Sequence, residues 1–345
     1  CRVHQDTENP ESFGGAVVVM DVATGAIRAA ATAPRFDPAA IMRGDPIDSQ
    51  GSPMLDRVRQ AALPPGSVMK LVTAAALLES GESFQPHDSF HCRGYLETPD
   101  RRRCAIFTAK GVGHGDVTLS QALAVSCNVY FFDHARRLDR AELVLWAHHF
   151  GLGQRTGIDL PGESRGRLPM ATTESDQLNL AIGQGRLTAT PLQIARLTAA
   201  VATGRMPTPH VIAGIGTTDR RPPLARPIEA IQPLTLELIG EGMRGAVSDP
   251  EGTANRTVYL GEPTIAAKTG TAQAGGKRGD HSWIAAYTPA DRPRWAIVVM
   301  IEHGGEASLA AGPVVRRIVQ SLYQSHSTTG TPSNQERTTG DSHQR

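Results

Sequence analysis

Leu63-Pro64-Pro65-Gly66-Ser67-Val68-Met69-Lys70-Leu71-Val72-Thr73-Ala74-Ala75-Ala76-Leu77-Leu78 is the stretch from which the rest of the chain can be read. Two prolines and a glycine break the backbone, and the spacing predicts a helix directly after them. Leu71, Ala74, Ala75 and Leu78 recur at i, i+3, i+4 and i+7, so one apolar face of that helix is expected to turn to a core. Ser67 falls in the first turn and Lys70 one turn later, on the same face. A hydroxyl and an amine thus stand together at a helix N-terminus, where unpaired N–H groups and the dipole favour developing negative charge. Those are parts for an activated serine nucleophile. Alone, Ser-x-x-Lys is equally an ordinary helical turn, so its meaning depends on what surrounds it.

Upstream, residues 15–20 and 26–32 read as strands joined by the turn Asp21-Val22-Ala23-Thr24-Gly25, a β-hairpin. Residues 1–13 are polar and read as a loose segment, and 34–53 as loop. Downstream, 79–116 has little periodicity. Helices are expected at 119–125, 129–138, 141–150, 192–202 and 233–243, the fourth with Thr190 as N-cap and Pro191 at its first position. Residues 178–185 read as the lead into that fourth helix. Residues 264–271, 282–287 and 295–301 then alternate as antiparallel strands, and a helix over 311–323 closes the fold. Residues 324–345 have almost no apolar side chains and read as a disordered tail. The fold class expected is α/β, of the α+β kind. It is a five-stranded antiparallel sheet flanked by helices over 14–323, with an all-helical subdomain at 79–263 inserted between strands two and three.

Composition narrows the function. The chain has 345 residues, 40% of them hydrophobic and 20% charged, enough for a sizeable core. A net charge of +1 and 5% aromatics argue against nucleic acid as a partner. No run is long enough to span a membrane. The chain opens at Cys1 rather than Met, as a mature product or an excised domain relieved of an anchor would, and a lipid-modified Cys1 is the lesser alternative.

Two further motifs carry chemistry. Ser126-Cys127-Asn128 falls at a junction of two helices, and residues two apart share a side in a turn but not on a helix. Ser126 and Asn128 are therefore expected to face one cleft. In Lys268-Thr269-Gly270-Thr271-Ala272, at the end of a strand, Lys268 and Gly270 alternate to one side, and Gly270 is expected to leave room for a ligand backbone at an edge. The order S-x-x-K, S-x-N, K-T-G resembles the signature of the serine penicillin-recognising enzymes. Met54-Leu55-Asp56-Arg57-Val58-Arg59-Gln60, Gly183-Gln184-Gly185 with Thr190-Pro191-Leu192-Gln193, and His303-Gly304-Gly305 resemble class B penicillin-binding proteins. So does the hairpin Met20-Asp21-Val22-Ala23-Thr24-Gly25. Cys92-Arg93-Gly94-Tyr95, Gly113-His114-Gly115 and Ser126-Cys127-Asn128 resemble the elongation-type, penicillin-binding protein 2-like branch. The family's N-terminal membrane anchor and pedestal module are not found within residues 1–345, as expected whether they were cut away or never existed.

The resemblance implies a peptidoglycan D,D-transpeptidase acting at the extracytoplasmic face of the bacterial cytoplasmic membrane, in the periplasm. Its substrates would be D-Ala-D-Ala stem peptides, its inhibitors β-lactams, and its partner a membrane glycan polymerase of the elongation machinery. It implies Ser67 as nucleophile and Lys70 as the base, with an amine pKa lowered by burial and by Lys268. Ser126 would relay a proton and Asn128 would bond a substrate amide. Lys268, Thr269, Gly270 and Thr271 would receive the terminal carboxylate, and the N–H groups of Ser67 and Thr271 would form the oxyanion hole. No cofactor is implied for catalysis. A D,D-carboxypeptidase or β-lactamase on the same site, and a non-catalytic sensor or scaffold, are the alternatives.

Cysteine usage adds a second theme. Cys92, Cys104, His114 and Cys127 make a Cys-x11-Cys-x9-His-x12-Cys array, a donor set suited to structural zinc. Some elongation-type relatives carry a metal site of mixed Asp, His and Cys ligands in this region. A Cys92–Cys104 disulfide and unlinked thiols remain as alternatives. Arg101-Arg102-Arg103 reads as a solvated loop, His148-His149 as filler, and Trp283 as either core or pocket wall.

Overall fold

The computed structural model describes residues 14–46, 51–81, 84–216, 218–219, 223–275 and 279–324; the segments expected at 1–13 and 325–345 lie outside the described residues. Five strands form the main sheet: β1 (Gly14–Asp21), β2 (Ile27–Ala33), β3 (Ala266–Ala272), β4 (His281–Thr288) and β5 (Trp295–Glu302). Their order is β2-β1-β5-β4-β3 and every pairing is antiparallel, so β3 is an edge strand. The β1–β2 turn is held by Asp21, whose carboxylate accepts from the N–H groups of Ala23 and Thr24 and from the Thr24 hydroxyl.

The apolar run Gly14–Asp21 has both faces covered, as near-continuous hydrophobic strands require. Val17 and Val19, with Ile297, Val299 and Ile301 of β5, face the closing helix Ala307–Gln324 through Val314, Val315 and Val319. Ala16, Val18 and Met20, with Val298 and Met300, join the larger core beneath the helices Lys70–Glu79 and Pro191–Thr203. The second of these starts as its sequence indicates, on a Thr190/Gln193 capping box with Pro191 in the first turn.

The helix Lys70–Glu79 departs from the expected amphipathic pattern. It is buried all round from Lys70 to Leu77. Three consecutive alanines let neighbouring elements approach every face, and a helix apolar on all sides belongs inside a core. The 3-10 turn Gly66–Met69 precedes it, so Ser67 lies in that turn and not in the α-helix.

The chain between β2 and β3 is mostly helical but not wholly so. It contains two-stranded ribbons pairing Phe90–Cys92 with Gly115–Val117, Arg205–Met206 with Arg226–Pro227, and Gly214–Ile215 with Thr218–Asp219. Strands this short leave no readable alternation. The expected 34–53 loop holds the helix Pro38–Arg43, N-capped by the Asp37 carboxylate. Helix Ala105–Lys110 interrupts the unpatterned region, and helix Glu174–Ala181 takes up the first residues of the expected 178–185 lead. Helix Pro233–Ser248 runs five residues beyond its expected end. No helix among the described residues is long and apolar enough to cross a membrane.

One buried ion pair ties the segment before Ser67 to the sheet. Arg57, 2% exposed, bonds Glu302 of β5 through Nε at 3.0 Å and Nη2 at 3.3 Å, and also the carbonyls of Gly51 and Ser52. Four of its five N–H donors are thereby used, which is what makes a buried guanidinium tolerable.

Candidate active site

The three motifs meet at the free edge of β3. The turn carrying Ser67 is pressed backbone against backbone onto that strand. A Cβ on Gly66, which has φ +56°, would stand 2.6 Å from the Thr271 carbonyl oxygen. A Cβ on Gly270 would stand 2.5 Å from the carbonyl oxygen of Pro65. The space Gly270 leaves open is therefore filled by the turn that carries Ser67, which corrects the expectation that a ligand backbone enters on that side. Ser67 is half-buried, and its hydroxyl has no hydrogen-bond partner among the described residues.

Ser126 stands between two lysines. Lys70 Nζ donates to the Ser126 carbonyl at 2.7 Å, to Ser126 Oγ at 3.1 Å and to Asn128 Oδ1 at 2.7 Å. Lys268 Nζ donates to Ser126 Oγ at 2.9 Å and to the Thr269 carbonyl at 3.1 Å. Ser126 adopts φ +56°, a left-handed conformation costly for a residue with a Cβ. Such outliers persist where the surroundings over-determine them. Here the hydrogen bonds from Lys70 and Lys268 and the start of helix Asn128–Ala135 do so. The Asn128 carboxamide is used on both sides, with Nδ2 donating to the Arg103 carbonyl at 2.9 Å. Thr269 Oγ1 pairs with Thr253 Oγ1 at 2.8 Å, and Thr271 is exposed.

Both lysines are fully buried, and burial penalises the ammonium form. Burial brings Lys70 from 10.5 down to about 8, against the opposing pull of the Cys104 and Cys127 sulfurs. Burial pushes Lys268 well below its ordinary range, and the Lys70 charge pushes it further. Two amines sharing one hydroxyl in a dry site make a proton-transfer chain in which one partner is readily neutral.

Behind Asn128 lies the cysteine cluster. Cys92, Cys104 and Cys127 are buried free thiols. Cys92 Sγ is 3.7 Å from Cys104 Sγ and 3.6 Å from His114 Nδ1, and Cys104 Sγ is 3.7 Å from Cys127 Sγ. A disulfide needs sulfurs about 2.05 Å apart, so the Cys92–Cys104 bridge is not formed. The four donor atoms lie within 4.8 Å of one another. Thiolates about 2.3 Å and an imidazole about 2.0 Å from a tetrahedral zinc stand roughly 3.6–3.8 Å apart, so the donor set fits that ion. Burial disfavours a charged His114, but bonds to the Cys104 and Cys92 sulfurs outweigh it and raise the imidazole to about 9. Hydrogen bonds from Cys104 and Cys127 hold the Cys92 thiol down, whereas burial pushes Cys127 up.

The remaining candidates separate cleanly. Trp283 is fully buried in the core opposite Gly270. His149 packs its ring against Trp146, at 5.4 Å between centroids. Arg102 pairs with Glu97 at 3.3 Å and Arg101 with Asp100 at 3.9 Å, on the exposed loop expected. Sequence reasoning missed Thr253 and the Arg103 carbonyl, and it named Gly183-Gln184-Gly185 without a role, where the Gly183 carbonyl accepts from Gly66 N at 3.0 Å. The first two carry no local signal, and the third was visible only as Gly-x-Gly.

Residues 15–320 match the profile of the penicillin-binding protein transpeptidase domain, and the chain belongs to that family. Among curated relatives, it is 29% identical to the peptidoglycan D,D-transpeptidase MrdA of Haemophilus influenzae, covering 91% of this chain and 53% of that protein. The chain thus spans about half the length of that relative. Among solved structures, it resembles Pseudomonas aeruginosa PBP2 in complex with WCK 5153, with a TM-score of 0.79, 29% identity, and coverage of 89% and 73%. It likewise resembles PBP2 in the complex with MreC from Helicobacter pylori, with a TM-score of 0.78, 27% identity, and coverage of 94% and 61%.

Proposed function

We propose that this chain carries a peptidoglycan D,D-transpeptidase site in which Ser67 is the nucleophile, with residues 14–323 as the catalytic unit and 79–263 as its insertion. The observation that supports this best is the Ser126 hydroxyl held by both Lys70 and Lys268 beside the Ser67 turn. Ser67 Oγ attacks the carbonyl of the penultimate D-Ala while neutral Lys70 takes its proton. That proton passes through Ser126 to the departing amine of the terminal D-Ala, leaving an acyl-enzyme. The amine of a second stem peptide then attacks the acyl carbon, gives its proton back along the same path and releases Ser67. The N–H groups of Ser67 and Thr271 stabilise the oxyanion, and Lys268, Thr269 and Thr271 hold the terminal carboxylate. β-Lactams acylate the same serine.

Cys92, Cys104, His114 and Cys127 would hold a structural zinc in this reading, supported by three separations of 3.6–3.7 Å that suit the edges of a tetrahedral site. A bound ion would supply no catalytic chemistry; Cys104 and Cys127, holding it together, would fasten the loop before helix Ala105–Lys110 to the segment that carries Ser126 and Asn128. Metal analysis of purified protein should return one zinc per chain, lost in Cys127→Ala; a metal-free wild type would refute this. Membership of the family supports a place at the extracytoplasmic face of the membrane beside a glycan polymerase, and the H. pylori relative's complex with MreC supports work within a larger assembly.

The site is tested with a fluorescent penicillin. Covalent labelling that disappears in Ser67→Ala is expected, followed by cross-linking of a donor stem peptide to an acceptor amine. Rapid release of the label with no cross-linked product would make the site a hydrolase.

A further inference from the structure

The oxyanion site is built from two segments that share no covalent neighbour, the Ser67 turn and the edge of β3. Something must hold them in register, because donors displaced by a fraction of an ångström lose most of their worth. One loop touches both. The Gly183 carbonyl accepts from Gly66 N at 3.0 Å, one residue before the nucleophile. A Cβ on Gly183 would collide with the Gly66 carbonyl, so this approach needs glycine there. The next residue, Gln184, donates from Nε2 to the Thr271 carbonyl at 3.2 Å and accepts at Oε1 from Gln273 N at 3.3 Å. Its carboxamide thereby bonds the backbone at the end of β3 on both sides of Ala272, from Thr271 in the strand to Gln273 just past it. In a strand the N–H and C=O of one residue point to the same edge. The bond to the Thr271 carbonyl therefore marks the free edge as the one on which the Thr271 N–H also lies.

The loop is itself anchored. Gln184 N and Gly183 N donate to the carbonyls of Asn179 and Leu180, at 2.8 and 2.9 Å, closing the helix Glu174–Ala181. The carbonyl of Ala181 accepts from Thr73 Oγ1 at 2.8 Å, inside the buried helix that follows the nucleophile. A rigid support therefore runs from the nucleophile helix through the helix end to Gln184.

We propose that Gln184 is the positioning residue of the oxyanion site, its side-chain amide clamping the edge strand so that the Thr271 N–H keeps its aim relative to Ser67. This rests on the transpeptidase reading above. The decisive variant is Gln184→Met, which keeps the length and packing of the side chain and removes both hydrogen bonds. Stopped-flow acylation by a chromogenic cephalosporin separates the non-covalent dissociation constant from the acylation rate constant. Removing an oxyanion donor outright costs about a hundred- to a thousand-fold, so misaiming one is expected to slow acylation about tenfold or more. The dissociation constant should stay within about threefold, and the melting temperature should be unchanged. Gln184→Glu keeps the acceptor for Gln273 N and loses the donor to Thr271, and should fall between wild type and Gln184→Met. An acylation rate constant within about twofold of wild type in Gln184→Met would overturn the clamp. So would a loss confined to the dissociation constant, or one that follows the melting temperature across both variants. A wild type that forms no acyl-enzyme would overturn the site reading itself, and the clamp with it.

Discussion

Lys70 Nζ lies 2.7 Å from Asn128 Oδ1, and the same carboxamide reaches back to the Arg103 carbonyl at 2.9 Å. The amine proposed to accept the Ser67 proton is thus oriented by a side chain whose other end is fastened next to Cys104. Because burial brings Lys70 to about 8, its neutral fraction rises with pH through that value. Acylation of Ser67 by a β-lactam is expected to climb with pH to a half-maximum near 8. Asn128→Asp puts a carboxylate against the ammonium form and should move that limb alkaline by about one unit, with slower acylation at neutral pH. A pH–rate profile of the variant that superimposes on the wild type would rule out this role for Asn128.

The left-handed backbone of Ser126 separates catalysis from stability. Ser126→Ala and Ser126→Gly both remove the shared hydroxyl and should slow acylation about a hundredfold or more. Glycine relieves the strain at φ +56°, so Ser126→Gly should be the more stable of the two by about 1 kcal/mol, the reverse of the usual order. Urea unfolding of the pair checks it.

Arg57→Met leaves the Glu302 carboxylate without its guanidinium in a site 15% exposed. A loss of about 3 kcal/mol is expected, with much of it returned when Glu302→Gln is added. A double-mutant cycle in denaturant measures the coupling, and purely additive losses would show the pair to be independent.

His281 is buried against His303, with ring centroids 4.6 Å apart, and its Nδ1 accepts from His303 N at 3.2 Å. Burial, helped by the neighbouring imidazole, takes it from 6.5 to about 4. The folded state therefore holds His281 neutral where the unfolded chain protonates it. Its contribution is intact above pH 6.5 and is lost as pH falls through about 4. The loss is on the order of 3 kcal/mol. His281→Gln keeps an acceptor for His303 N and should flatten that part of the stability–pH curve.

Much of the framework was determined by the sequence itself. Gly14–Asp21, the Asp21 turn and the strands of the C-terminal half announce themselves through periodicity and turn chemistry, which act over a few residues. The motif order S-x-x-K, S-x-N, K-T-G named the chemistry because each residue type can do little else in that company. The short elements Pro38–Arg43 and Phe90–Cys92 were beyond it, since a few residues carry no period. The tertiary structure decided the rest. It brought Lys268 to Ser126 across 142 positions and closed the open side of Gly270 with the nucleophile's own turn. It kept Cys92 and Cys104 apart as thiols within ligand distance of His114. Those outcomes are distances between segments remote in sequence, set by how helices and sheet pack, and no local pattern encodes a distance.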